Sequence, residues 1–207
     1  MTTTASSAVG RFFGVAADPQ TYRNLSYLAL TFPLGILYFV IVYGGGVAGV
    51  SLIPLVVGAP LLVAVLAVAT NVTEIEARLA NGLLGTDIDY ESPEPSDETL
   101  VEYGKRVATS SRSYRAVAYL LSKFAVGLVA FTALTVAATL SAAMALAPAL
   151  YARPEFSYQF GAASVETLPV ALALSVGGVL VAFASLHVFN LAARALGRYT
   201  KLLIDAE

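Results

Sequence analysis

The sequence has no cysteine, a single histidine at His187, and no formal charge in the fifty residues between Arg23 and Glu74. Without cysteine there is no disulfide, no thiolate nucleophile and no thiolate metal site. With one histidine, a haem or metal site built on paired imidazoles of one chain is excluded. A phosphate-binding glycine loop, a His-Glu metal pair and a serine in a nucleophile-elbow context are missing too. Composition therefore offers no support for an enzyme and implies no cofactor. Charged residues make up only 13% of the chain, against about 25% in a soluble domain. The net charge of -2 is too small to argue for a nucleic-acid partner. The first ten residues lack the basic start of a signal peptide and read as a loose cytoplasmic tail.

What is present is apolar length. A helix needs roughly 20 apolar residues to cross the hydrocarbon of a bilayer. The uncharged run from Leu25 holds two such crossings, and the runs Phe124–Ala152 and Thr167–Ala193 hold one each. The expectation is an all-α polytopic membrane protein with four transmembrane helices, forming one membrane domain over 1–207. Its parts are a cytoplasmic tail (1–21), a first hairpin with an amphipathic tail (22–84), an acidic cytoplasmic loop (85–98), and a second amphipathic helix, hairpin and tail (99–203).

The crossings are expected at about Leu25–Tyr43, Val47–Ala69, Phe124–Leu146 and Leu168–Leu191. Gly44-Gly45-Gly46 supplies the first turn, because glycine reaches backbone conformations closed to other residues. Pro54 and Pro60 then fall inside the second crossing and bend it. After Asn71, which caps the next segment, Val72, Ile75, Leu79 and Leu83 recur at three- and four-residue intervals. That spacing predicts an amphipathic helix lying on the membrane surface. Leu100–Val117 forms a second one, whose Lys105, Arg106, Arg112 and Arg115 suit anionic lipid. The acidic run from Asp87 to Glu98 lacks calcium-loop spacing and reads as a solvated loop.

Basic residues near the crossings set orientation. Arg11 and Arg23 precede the first, six Lys or Arg lie between the second and third, and Arg194, Arg198 and Lys201 follow the fourth. Only Arg153 lies on the opposite side. Both termini are therefore expected in the cytoplasm of a multi-pass plasma-membrane protein, with 44–46 and 147–166 outside.

Residues 21–39 align with 113–131 at one constant offset. Identities fall at Tyr22/Tyr114, Arg23/Arg115, Tyr27/Tyr119, Leu28/Leu120, Phe32/Phe124, Gly35/Gly127 and Phe39/Phe131. Both segments start on the cytoplasmic side, which predicts a parallel repeat of two hairpins about an axis along the membrane normal. Convergent hydrophobic composition is the alternative. Pro33, Gly35 and Gly127 are candidate helix-packing positions, with Pro33 also a candidate hinge.

Candidate ligand or signalling residues are His187 and, in the outer loop, Tyr151, Arg153, Phe156, Tyr158 and Glu166. The plainer readings are a neutral histidine bonded to a neighbouring helix, and a cap of aromatic rings at the lipid headgroups. Among the crossings only Lys123, at a boundary, carries charge, whereas an ion or proton path usually carries more.

Four segments together resemble a known family: Tyr27–Phe39 (YLALTFPLGILYF), Leu52–Leu62 (LIPLVVGAPLL), Glu76–Gly85 (EARLANGLLG) and Ser185–Arg198 (SLHVFNLAARALGR). With the four-crossing layout they resemble a sensor domain family of actinobacterial and archaeal proteins. The resemblance runs from about Tyr22 to Leu203. In that family the domain is often the membrane-embedded N-terminal part of a sensor histidine kinase, and no catalytic residue carries over. The chain stops at Glu207 without a kinase module, so signalling is expected to need a separate partner. The resemblance implies a membrane sensor-like or accessory subunit in signal transduction, with the bilayer and another protein as partners and a homo-oligomer as an option. A small transporter or transporter-associated subunit acting as an oligomer is the alternative.

Overall fold

In the computed structural model, which describes residues 10, 12–93, 98–153, 159–160 and 163–205, four helices are long and apolar enough to cross a bilayer: Pro19–Ser51, Gly58–Leu84, Ser111–Ala145 and Leu168–Ile204. The first comprises α1 (Pro19–Phe39), one π-helical turn at Val40–Gly44, and α2 (Gly45–Ser51). Then come α3 (Gly58–Leu84), a short α4 (Leu100–Thr109), α5 (Ser111–Ala145), one turn of α6 (Ala147–Leu150) and α7 (Leu168–Ile204). A minimal antiparallel ribbon pairs β1 (Gln159–Phe160) with β2 (Ala163–Ser164). The architecture is all-α, and multi-pass placement in a bilayer follows from its helices.

The break between the first two long helices falls at Leu52–Val57, not at the glycine triplet. Gly44 to Gly46 are helical. A Cβ on Gly45 would meet Val65 Cγ2 at 2.6 Å, and one on Gly49 would meet Leu62 Cδ2 at 2.6 Å. These glycines admit close packing of α2 on α3, the usual role of small residues where a bilayer surrounds the helices. The turn is made instead by a 3₁₀ segment, Ile53–Leu55, containing Pro54, and by Val56 at φ 65°. A left-handed conformation is strained for a β-branched side chain. Pro60 does not bend a crossing either. It lies in the first turn of α3, where N–H groups have no intrahelical acceptor to lose.

α3 is one continuous helix through Leu84, so Val72–Leu84 is not a separate surface helix. Asn71 is not a cap; mid-helix, its Nδ2 donates to the Ala67 carbonyl at 2.7 Å. The buried face is also not the large apolar stripe, since Ile75 is 60% exposed while Thr73, Glu76, Ala77 and Ala80 are buried. α1 shows the same inversion, burying Thr21, Asn24, Tyr27 and Thr31 while Leu30, Ile36 and Leu37 stay exposed. Lipid is as apolar as leucine, so large apolar side chains gain nothing by turning inward. Small and hydrogen-bonding ones do.

α4 is separate from α5, from which Ser110 in an extended conformation divides it. Its start is a capping box: Glu102 N–H donates to Thr99 Oγ1, while Thr99 N–H donates to Glu102 Oε2 at 2.9 Å. The bonds from Thr99 hold the Glu102 carboxyl below the usual range, so the box is complete at neutral pH and is lost as pH falls through that lowered pKa.

The first part of the acidic loop is also held, not simply solvated. Asn81 donates to Ile88 O and accepts from Ile88 N–H, both at 2.9 Å. Ser92 Oγ donates to Glu74 Oε2 at 2.6 Å, and Ile88, Tyr90 and Ser92 are buried. The Arg112 guanidinium lies 4.5 Å from the Tyr90 ring centroid, and burial pushes the Tyr90 phenol up.

The chain divides into two compact units, Tyr22–Phe131 with Ala192–Glu207, and Met1–Thr21 with Thr132–Leu191. In the second, Gly178 lets α7 approach α5, since a Cβ there would lie 2.7 Å from Ala145 N. Ser175 Oγ donates to Ala145 O at 2.9 Å.

Candidate functional site

Glu76 and Lys123 form an ion pair, Lys123 Nζ to Glu76 Oε2 at 3.0 Å, with side chains 1% and 0% exposed. Removing two charges from water is costly unless each finds partners for its remaining lone pairs and protons. Tyrosines supply them. Lys123 Nζ donates to Tyr27 Oη at 2.8 Å and sits 4.5 Å from that ring's centroid and 5.6 Å from that of Tyr119. The carboxylate accepts from Tyr38 Oη on Oε1 at 3.0 Å, and from Tyr27 and Tyr119 Oη on Oε2 at 3.3 and 3.4 Å. Tyr119 Oη also shares a hydrogen with Thr200 Oγ1 at 3.2 Å. All four long helices contribute: Tyr27 and Tyr38 from α1, Glu76 from α3, Tyr119 and Lys123 from α5, Thr200 from α7.

The pair lies toward the end of the bundle where α1 begins and α7 ends, since its partners Tyr27 and Thr200 stand near the start of α1 and the end of α7. A Cβ on Gly35 would stand 2.8 Å from Lys123 O, so α1 and the Lys123 backbone are in direct contact there. A fully buried ionisable pair among apolar helices is the kind of feature that marks a functional site.

Sequence reasoning missed this centre. It left Glu76 on the polar side of a surface helix and Lys123 at a boundary. The usable signal was the small-residue stripe Ala69, Thr73, Ala77 and Ala80, which shares its buried face with Glu76.

Close backbone contact surrounds the pair. A Cβ on Gly127 would lie 2.6 Å from Thr31 O and 2.8 Å from Phe32 Cα; one on Gly35 would lie 2.9 Å from Phe124 Cα. Phe32 stacks on Phe131 at 4.8 Å between centroids, and Phe39 meets Phe124 at 4.9 Å. Pro33 is exposed on the outer side of α1, which continues through it.

The remaining candidates lie in the other unit. His187 Nε2 is 3.1 Å from Phe12 O, and its ring stacks on Phe12 at 5.3 Å. Tyr151 packs against the cluster of Ala147, Val165 and Ala171. Glu166 accepts from Ser164 Oγ at 2.7 Å, and Arg153 is exposed. Phe156 and Tyr158 lie outside the described residues. Asn190 Nδ2 donates to Thr21 Oγ1 at 2.8 Å. No group of three or more His, Cys, Asp or Glu among the described residues could hold a metal ion.

A family model described as Putative sensor matches residues 27–204. Neither a curated protein nor a solved structure matches the chain. The matched region includes every member of the buried ion-pair network, from Tyr27 to Thr200, and the chain belongs to this sensor family.

Proposed function

We propose that the protein is a membrane sensor-type or accessory subunit that relays a change among its helices to a protein partner in the cytoplasm, with no catalysis of its own. The observation that carries this reading is the Glu76–Lys123 network, on which all four long helices converge. Moving α1, α3 or α5 changes a direct partner of the two charges, and moving α7 changes the Thr200 partner of Tyr119. A relay requires an element whose arrangement both ends bias.

Two parallel hairpins related by a repeat are the arrangement we favour. Thr21, Asn24, Tyr27, Leu28, Thr31 and Gly35 are buried, and so are Ser113, Ala116, Tyr119, Leu120, Lys123 and Gly127, each ninety-two positions later. The glycine contacts and both aromatic pairs also exchange under that offset. Charge breaks the correspondence at one place, where Lys123 stands opposite Thr31. That asymmetry lets one half respond differently from the other.

The proposed topology keeps both termini and residues 85–98 in the cytoplasm. Cysteines at exposed Asp89 and Arg153 of this cysteine-free chain test it with an impermeant thiol reagent on intact cells. Label is expected at position 153 alone. Label at 89 and not at 153 would invert the topology.

The relay is tested with photo-cross-linkers at Leu100, Val101 and Leu202, apolar residues 86%, 80% and 74% exposed. The expected result is capture of one partner protein, a kinase-type transmitter by family resemblance, with a yield that changes in Glu76→Gln. Capture of only lipid and self, in both proteins, removes the relay reading.

A transport role has one observation in its favour, the same buried ion pair. Proton or solute flux in proteoliposomes that Glu76→Gln abolishes would move the assignment there.

A further inference from the structure

Where α1 begins and α3 and α7 end, a cavity of about 170 Å³ opens, lined by Asn24, Thr86, Asp87, Arg194, Arg198 and Lys201 among others. Arg194, Arg198 and Lys201 follow one another at four and three residues, so they share a face of α7. Against three cations the lining holds one carboxylate, Asp87. Asp205 approaches Lys201 at 3.5 Å from outside it. Lys201 Nζ is already aimed inward, donating to Asp87 O at 2.7 Å, and Asn24 and Thr86 add neutral hydrogen-bonding groups to the wall.

We propose that this cavity binds a phosphate mono- or diester, an oxyanion site that neither the family match nor the relay reading assigns. Guanidinium groups present paired donors that match phosphate oxygens. The volume suits a headgroup and is below the ~300–1,000 Å³ of pockets that enclose larger ligands. Arg194 directly follows the uncharged run of α7 that ends at Ala193, which puts the cavity at the level of the headgroups and favours a phospholipid over free phosphate. Basic pockets between helices at the cytoplasmic end of a bundle are suited to such headgroups.

The test is native mass spectrometry of the full chain in detergent with added phosphatidylglycerol, phosphatidylcholine or inorganic phosphate. One tightly held phosphatidylglycerol is expected, with phosphatidylcholine retained weakly. Arg194→Gln with Arg198→Gln should weaken retention by about tenfold or more, while Arg78→Gln, an exposed arginine outside the cavity that pairs with Glu74, should leave it unchanged. Asp87→Asn should tighten it, and this variant keeps the test decisive if the double variant does not fold. Displacement of the lipid by inorganic phosphate, or binding of phosphate alone, assigns the site to the free ion. Equal retention of both lipids, equal loss in Arg78→Gln, or no gain in Asp87→Asn overturns the site. Either outcome leaves the relay reading standing, since that depends on Glu76 and Lys123.

Discussion

Replacing Lys123 with methionine is expected to destabilise the protein by about 3–5 kcal/mol, the range for removing one partner of a buried ion pair. The Glu76 carboxylate would keep Tyr27, Tyr38 and Tyr119 as donors but lose the only cation within 4 Å among the described residues. Glu76→Gln is the milder converse. It leaves the ammonium buried with Tyr27 Oη and two ring faces, so a smaller loss is expected. The double change Glu76→Leu with Lys123→Met removes both charges and should recover most of the loss, because two apolar groups of similar volume need no solvation. Thermal unfolding in a fixed detergent of the unmutated protein, Glu76→Leu, Lys123→Met and the double variant, compared as a cycle, measures this. A double variant no better than Lys123→Met alone would show that the tyrosine hydroxyls, stranded without their acceptor, matter more than the charges.

The second large effect is expected at the glycine contacts. At Gly127 a methyl group would press on Thr31 O and Phe32 Cα, and at Gly35 on Lys123 O and Phe124 Cα. All four atoms are backbone and cannot rotate away. Alanine at either position should therefore cost about 1–3 kcal/mol through overpacking, and leucine should part α1 from α5. Gly127→Leu is then expected to disrupt the ion pair as well, since Lys123 lies one helical turn away. Alanine at Gly46 is the control, for nothing lies within 4 Å of its added Cβ and alanine favours a helix over glycine. Stability is read from the melting midpoint and assembly from size-exclusion chromatography. Equal behaviour of the Gly46 and Gly127 variants would argue against tight contact of the two backbones.

These two expectations differ in how far the sequence foretold them. Gly35 and Gly127 stood out as aligned small residues in two similar segments. Their importance could be read because glycine in an apolar helix has few reasons to be there other than close packing. Glu76 and Lys123 did not stand out. Each sits where a helix nears charged sequence, and a one-dimensional reading treats such residues as the polar margin of a crossing. His187 and Tyr151, read both as site candidates and in plainer structural terms, meet the Phe12 carbonyl and a small apolar cluster.

By itself the sequence determined the solvent. A chain with fifty consecutive uncharged residues must satisfy its backbone internally and does so as long helices. It also determined how many such helices there are, since their length is set by bilayer thickness. Which face of each helix turns inward was decided only by tertiary structure. In water the apolar stripe would mark the buried face, but among lipid tails that driving force vanishes, and packing and hydrogen bonding choose instead. That is why Ile75 faces out and Glu76 in, and why the glycine triplet is helical while the chain breaks at Pro54 and Val56. The partner of a buried charge is likewise invisible along the chain. Glu76 and Lys123 are forty-seven residues apart, and only the packing of α3 against α5 brings them to 3.0 Å.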